Sequence, residues 1–69
     1  MTIHFRGDWY YDHNIALYEG KFLWHVVRFK IANGFAVGTW VAGGVNKTRE
    51  EAERNGLAAI KADAPRGEG

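Results

Sequence analysis

The sequence predicts an α+β fold, an antiparallel β-meander of three to four strands with one C-terminal helix packed on one face of the sheet. Residues 22–45 contain two runs rich in β-branched and aromatic residues, joined at Asn33-Gly34. An Asn-Gly pair between such runs is typical of a hairpin with a type I′ turn, which needs positive φ at both central positions. Thr48-Arg49-Glu50-Glu51 then has the pattern of a capping box, which marks the start of a helix.

Length and composition indicate a single small domain. A chain of 69 residues buries only about 60% of the surface that its unfolded form exposes. Hydrophobic residues make up 46% and charged residues 25%, which is ordinary for a globular domain. We expect residues 1–65 to form that domain and residues 66–69 to form a flexible tail.

The N-terminal third predicts further strands. Residues 2–6 alternate between apolar and polar side chains, which favours an edge strand. Trp9-Tyr10-Tyr11 has high β-propensity, and Asp12-His13-Asn14 is typical of a turn. The sequence leaves open whether residues 2–12 form one bent strand or two short ones. Residues 14–19 alternate again, and Gly20 predicts a tight turn into the central hairpin.

The Asn33-Gly34 loop fixes a register that sorts the hairpin residues onto two faces. The first face carries no charged residue and consists of Leu23, His25, Val27, Phe29, Ile31, Ala36, Gly38, Trp40 and Ala42. The second consists of Phe22, Trp24, Val26, Arg28, Lys30, Phe35, Val37, Thr39, Val41 and Gly43. Because the first face lacks charge and has a row of small residues, we assign it to the core beneath the helix. The second face becomes the candidate working surface.

The helix is predicted to run from Thr48 to about Asp63, with Pro65 ending it. Its predicted apolar face consists of Ala52, Gly56, Leu57, Ala59 and Ile60. A glycine inside a helix costs about 1 kcal/mol relative to alanine, so Gly56 indicates a close packing contact. We expect that contact to be with Gly38 and Ala42.

Residues with catalytic potential do not form a recognisable site. His4, Asp8, Asp12 and His13 lie close in sequence, but their spacing matches no established zinc or calcium pattern. His25 lies at an inward position, which is typical of a core or rim histidine. The chain contains no serine or cysteine nucleophile, and its glycines do not form a phosphate-binding loop. We therefore predict a non-enzymatic protein with no catalytic residue, no cofactor and no metal.

Charge and hydropathy restrict the classes of partner. The formal net charge is +1, whereas a dedicated nucleic-acid binder usually has a strong basic excess. No apolar run approaches the roughly 20 residues of a membrane span, and the start has no signal-peptide pattern. The absence of cysteine also fits a reducing compartment. We expect a cytoplasmic protein that does not bind membranes.

The predicted binding surface lies on the second face and its rim. Large rigid side chains and arginine are enriched at binding hot spots. The candidate binding residues are Phe22, Trp24, Arg28, Lys30, Thr39, Arg6 and Tyr10. The alternative is that the N-terminal strand, with Trp9 and Tyr11, folds over this face and forms a second small core. In that case only the rim and the hairpin tip remain for binding.

Part of the chain resembles a family of DNA-binding domains. The resemblance covers about 40 residues and rests on Trp24-His25-Val26-Val27-Arg28, Gly38-Thr39-Trp40, and the helix that opens Thr48-Arg49-Glu50-Glu51-Ala52. These segments resemble the three-stranded sheet plus helix of plant APETALA-type domains and of the arm-binding domains of tyrosine integrases. In those families the sheet enters the DNA major groove. The resemblance implies DNA contacts by Trp24, Arg28, Lys30 and Thr39.

A protein partner is the first prediction and duplex DNA is the alternative. The strands carry few basic residues, and Val26, Val37 and Val41 lie between them, which suits a protein surface better than a phosphate backbone. In size and composition the chain resembles the small phage-encoded inhibitors, anti-CRISPR proteins among them, that block a larger machine by occupying its surface. Homodimerisation through the same face is a related prediction.

Overall fold

The computed structural model describes residues 2–6 and 9–63, and within these ranges the side chains of Thr2 and Arg6 are not described. The elements in chain order are β1 (Thr2–Arg6), β2 (Trp9–Tyr18), β3 (Lys21–Ala32), β4 (Phe35–Asn46) and α1 (Arg49–Ala62). The four strands form one antiparallel sheet in the order β1-β2-β3-β4. The predicted α+β fold, a meander with one helix packed on the sheet, is therefore confirmed, with four strands.

Two-residue turns connect the three longest strands. Asn33 and Gly34 have φ of 54° and 82°, and Glu19 and Gly20 have φ of 49° and 76°. Positive φ at two consecutive residues is the requirement of a type I′ turn, which asparagine and glycine meet at low cost. The sequence prediction of both turns is confirmed. As expected, Ile15 lies opposite Trp24 and Leu17 opposite Phe22.

The predicted turn at Asp12-His13-Asn14 is wrong, because β2 runs through it without a break. These residues pair with β3 on one side, and Asp12 and His13 also pair with β1 on the other. Pairing on both sides outweighs the local turn preference of Asp and Asn. Residues 2–6 and 9–18 thus form two strands, with β1 as the predicted edge strand. Gly7-Asp8, Pro65 and the predicted tail at residues 66–69 lie outside the described residues.

The register of the central hairpin follows the prediction only next to the loop. The pairs from Ala32–Phe35 to Val27–Trp40 keep the predicted register, but the next pair is Val26–Ala42. Val41 is therefore an extra residue in β4, a β-bulge. From Ala42 onward, the β4 side chains therefore lie on the opposite face of the sheet from the one predicted.

The helix packs on the predicted binding face, over its part around Trp24 and Val26, so the predicted assignment of faces is wrong. Phe35 and Val37 of the same face, next to the hairpin loop, stay 73% and 55% exposed. The buried cluster consists of Tyr11, Val26 and Ile60, with Trp9, Trp24, Val41 and Ala59 packed against it. Val26 and Trp24 belong to the second face, whereas Trp40 of the first face is 63% exposed. Residues 2–6 and 9–12 do not fold over either face, because they extend the sheet as β1 and the start of β2.

An ion pair between Arg28 and Asp63 allows the face that carries Arg28 to be buried beneath the helix. Its Nη1 donates to Oδ2 of Asp63 at 2.8 Å, and the hydroxyl of Tyr11 donates to the same oxygen at 2.6 Å. Arg28 and Asp63 side chains are only 18% and 17% exposed. Asp63, the C-cap of α1, therefore neutralises the charge that made this face look like a solvent-facing surface.

Gly56 makes a close packing contact, but not the expected one. A Cβ on Gly56 would lie 2.0 Å from Nε2 of His13, so the glycine lets α1 approach the β2 histidine. The expected contact with Gly38 is wrong because Gly38 lies on the opposite face, opposite Phe29. His13 itself is buried.

Candidate functional site

The candidate site is the side of the sheet that faces away from α1, which we call the open face. Strand alternation and the observed registers place one set of residues from all four strands on it. The open face consists of Ile3, Phe5, Tyr10, Asp12, Asn14, Ala16, Tyr18, Lys21, Leu23, His25, Val27, Phe29, Ile31, Ala36, Gly38, Trp40, Gly43 and Val45. It contains the whole first face of the hairpin except Ala42, which the bulge moves to the helix side.

Large apolar side chains on the open face are accessible to solvent. Phe5 is 72%, Trp40 63% and Ile31 58% exposed, and Ile3, Leu23 and Val45 are also exposed. No described element lies over them, since α1 contacts β2, β3 and β4 from the other side. The open face is therefore an extended apolar surface of the kind that marks an interaction site in soluble proteins.

An aromatic cluster occupies the β1 side of the open face. The Tyr10 ring stacks on Phe29 with centroids 5.3 Å apart, and Phe5 meets Tyr10 edge to face at 4.8 Å. These contacts restrict the rings before any partner arrives. A rigid aromatic side chain contributes a large contact area at small conformational entropy cost, which is why such residues dominate binding hot spots.

A row of polar groups crosses the centre of the open face. Asn14 Nδ2 donates to Oδ1 of Asp12 at 3.1 Å and lies 3.4 Å from Nε2 of His25. The His25 ring then stacks on Trp40, with centroids 5.9 Å apart and planes 20° apart. The row holds hydrogen-bonding groups in fixed positions within an apolar surface. Such groups add directional selectivity to an apolar contact.

A pocket lies at the far end of the open face. It has a volume of about 270 Å³ and is lined by Tyr18, Glu19, Lys21, Leu23 and Val45. The two-residue turn at Glu19-Gly20 positions its charged rim. This pocket could receive a single side chain of a partner, because its volume is below that of most small-molecule sites.

The predicted binding residues are split between the two sides of the sheet. On the helix side, Phe22 lies under Arg49, Trp24 packs against the core and Arg28 pairs with Asp63. Lys30 Nζ lies 5.0 Å from the Trp9 ring centroid, and Thr39 lies opposite Arg28. Tyr10 alone of the predicted set belongs to the open face, and the Arg6 side chain lies outside the described part of the chain.

The open face differs from the predicted binding surface because freedom from charge does not identify the core of this sheet. Both faces of the hairpin are apolar enough to be buried, and one 14-residue helix can cover only one of them. The useful signal was the polar content of β2. Asp12 and Asn14 share one side of that strand, while Tyr11 and His13 share the other, which places the more polar side toward solvent.

A second concavity lies on the helix side, between β1, β2 and α1. It has a volume of about 250 Å³ and is lined by His4, His13, Glu53 and Leu57. Burial lowers the pKa of His13 from its ordinary value, the nearby His4 acts in the same direction, and Glu53 and the Ala52 carbonyl oppose the shift. Across the described residues, no three or more His, Asp or Glu side chains converge as a metal-binding group would require.

Comparison with known protein families, with curated proteins and with solved structures finds no match to this chain. Separately, none of the helices in the described ranges combines the length and apolar character needed to cross a bilayer.

Proposed function

We propose that this protein is a non-enzymatic binding module that occupies an apolar surface of a protein partner with the open face of its sheet. The observation that carries the proposal is the extent of uncovered aromatic and aliphatic surface on that face, including Phe5, Ile31 and Trp40. Burial of apolar area is the dominant favourable term in most protein association, at about 25 cal/mol per Å². Occupying a partner's surface would inhibit any activity that depends on that surface.

The chemistry of the open face specifies the kind of partner surface. Its centre is apolar and is crossed by the polar row of Asp12, Asn14 and His25. A complementary surface would therefore be mostly apolar and would offer a small number of hydrogen-bonding groups to this row. The charged residues Glu19 and Lys21 lie at the pocket end, where a polar rim of an interface is usual.

Duplex DNA is the weaker candidate on the same geometry. Affinity for DNA comes largely from lysine and arginine contacts to phosphates. Among the described side chains of the open face, Lys21 is the one lysine or arginine. The family resemblance implies DNA contacts by Arg28 and Lys30, but both lie on the helix side. We expect no binding to a random-sequence duplex in a fluorescence polarisation titration at physiological salt. Tight binding that weakens steeply with added salt would favour DNA instead.

Site-specific crosslinking tests the protein-binding proposal directly. A photoreactive amino acid replaces Phe5 on the open face or, as a control, Leu57 on α1, which is 49% exposed. In an extract of the native host, we expect a discrete protein adduct from position 5 that excess unlabelled protein competes away. Position 57 should give no such adduct. Equal labelling from both positions would contradict the use of the open face.

The partner identified in this way then allows a quantitative comparison. Calorimetric titration of the purified partner should show at least about a tenfold loss of affinity for Phe5→Asp. Leu57→Asp, a matched exposed apolar position on the other side of the molecule, should stay within about twofold. The reverse order would place the binding surface on the helix side and refute the proposal.

A further inference from the structure

From Phe35 to Trp40, before the Val41 bulge, the outer edge of β4 carries no charged side chain, no proline and no covering element among the described residues. β4 has 12 residues and pairs with β3 alone among the described strands. Its sequence from Phe35 to Asn46 contains no charged residue and no proline, although lysine, proline or a covering loop usually blocks pairing at an edge. The other edge strand, β1, has only 5 residues.

Hairpin geometry identifies which backbone groups of β4 point outward. The pair Ala32–Phe35 closes the two-residue loop, and such a closing pair is hydrogen-bonded. By alternation, Phe35, Val37 and Thr39 direct their N–H and C=O groups toward β3, and Ala36, Gly38 and Trp40 direct theirs away from the sheet. The regular part of this edge ends at the Val41 bulge. Gly38 is the middle one of the three residues whose backbone groups point outward.

We propose that β4 pairs antiparallel with β4 of a second copy of this chain, about a two-fold axis at Gly38. In this register Gly38 lies opposite Gly38, and Ala36 lies opposite Trp40 of the second copy. All three residues have outward backbone groups, so the pairs exchange about six hydrogen bonds. The small residues Ala36 and Gly38 leave room on the open face for the two Trp40 rings.

The absence of charge favours a second copy over an unrelated strand. In a two-fold pairing, each β4 side chain lies close to the same residue, or to a nearby residue, of the second copy. A charged strand would therefore bring like charges together. β4 avoids this repulsion along its whole length. Pairing of β4 with β1 of another copy is limited to 5 residues and is head-to-tail, which gives a ring or an open filament, whereas the two-fold arrangement closes as a dimer.

Self-pairing would also supply stability that the single chain lacks. The buried hydrophobic residues within residues 2–6 and 9–63 are Tyr11, Val26, Ala52 and Ile60. A core of this size contributes little, and small domains commonly gain stability by oligomerisation. The resulting dimer has one continuous sheet of eight strands, with both helices on one side and both open faces merged on the other.

Charges placed on the two-fold axis test the proposal. A Cβ on Gly38 would meet Val27 Cγ1 at 3.4 Å, an ordinary contact, so a side chain fits there. Sedimentation equilibrium should give a dimer for the wild-type protein, and Gly38→Lys and Gly38→Glu should each be monomeric because the axis brings equal charges together. An equimolar mixture of the two variants should form a heterodimer, which also shows that both variants fold.

The control places a lysine elsewhere on the open face. Ala16→Lys changes an exposed residue of β2, which β3 separates from β4, and it should remain dimeric. The proposal is overturned if the wild-type protein is monomeric at about 100 μM, a concentration at which even weak specific dimers form. It is equally overturned if Gly38→Lys stays dimeric, if the mixture does not reassociate, or if Ala16→Lys dissociates the dimer, which would indicate face-to-face packing.

Amide hydrogen exchange gives a second measurement that needs no variant. In the dimer the N–H groups of Ala36, Gly38 and Trp40 should be protected like those of Val37 and Thr39. Fast exchange of the first three at high protein concentration would contradict the pairing. The result does not depend on what the open face binds, so this proposal and the proposed function can fail separately.

Discussion

His13 and Gly56 form a contact that determines how closely α1 approaches the sheet. Replacing Gly56 with alanine would place a Cβ 2.0 Å from His13 Nε2 and 2.3 Å from its Cε1. We expect Gly56→Ala to lower the free energy of unfolding by about 1–3 kcal/mol, the usual cost of overpacking, despite the better helix propensity of alanine. Urea unfolding measures the loss.

A double-mutant cycle separates this contact from a general effect on the helix. His13→Ala removes the imidazole and leaves space for the new methyl group. In the His13→Ala background, Gly56→Ala should therefore be neutral or stabilising, with a coupling of about 1 kcal/mol or more. Additive losses would show that the Gly56 effect does not arise from the histidine.

His13 should also make stability depend on pH. Burial lowers its pKa in the folded protein below the ordinary value of 6.5, so the unfolded chain binds the proton more tightly. The stabilising contribution is complete above about pH 6.5 and is lost as the pH falls toward the folded pKa. The urea midpoint should thus decrease between about pH 7.5 and pH 5.5. His13→Gln should reduce this decrease, and an unchanged pH slope in the variant would contradict the assignment.

At the level of elements, Asp63 fixes the C-terminal end of α1 to the sheet. Asp63 accepts from Arg28 and Tyr11, and its N–H donates to the Ala59 and Ile60 carbonyls. Asp63→Asn removes the negative charge beside a mostly buried arginine, and we expect a loss of about 2–4 kcal/mol. Thr48→Ala at the N-cap, where Thr48 Oγ1 accepts from the Glu51 N–H at 3.1 Å, should cost only about 1 kcal/mol. Equal losses in thermal or urea unfolding would contradict this order.

The elements that depend on local chemistry could be predicted from the sequence. Both tight turns and the helix start at Thr48 follow from glycine, asparagine and capping residues within a few positions, and the helix end near Asp63 follows from Pro65 in the sequence. The charge of Arg28 predicts the wrong face, because Arg28 is neutralised by Asp63, which is 35 residues away, and only the alternation of β2 points to the correct face. The Val41 bulge likewise depends on packing between β3 and β4. Distant contacts therefore decided which residues form the candidate site.

At the level of the whole molecule, the helix and the open face lie on opposite sides of one sheet. This arrangement predicts that Trp40, which is 63% exposed, is far more accessible than Trp24, which packs against the core. Variants that keep a single tryptophan, with the others changed to phenylalanine, allow the comparison by acrylamide quenching. Stronger quenching of Trp24 than of Trp40 would mean that the helix covers the other side.

The meander order of the strands has a kinetic consequence. Each strand pairs with the strand next to it in sequence, so the sheet can grow from its tight turns without closing a long loop, and loop closure is a main entropic barrier to folding. We expect fast refolding after dilution from denaturant, with docking of α1 as the last step. A newly synthesised chain would then spend little time with its aromatic strands unpaired and prone to aggregate.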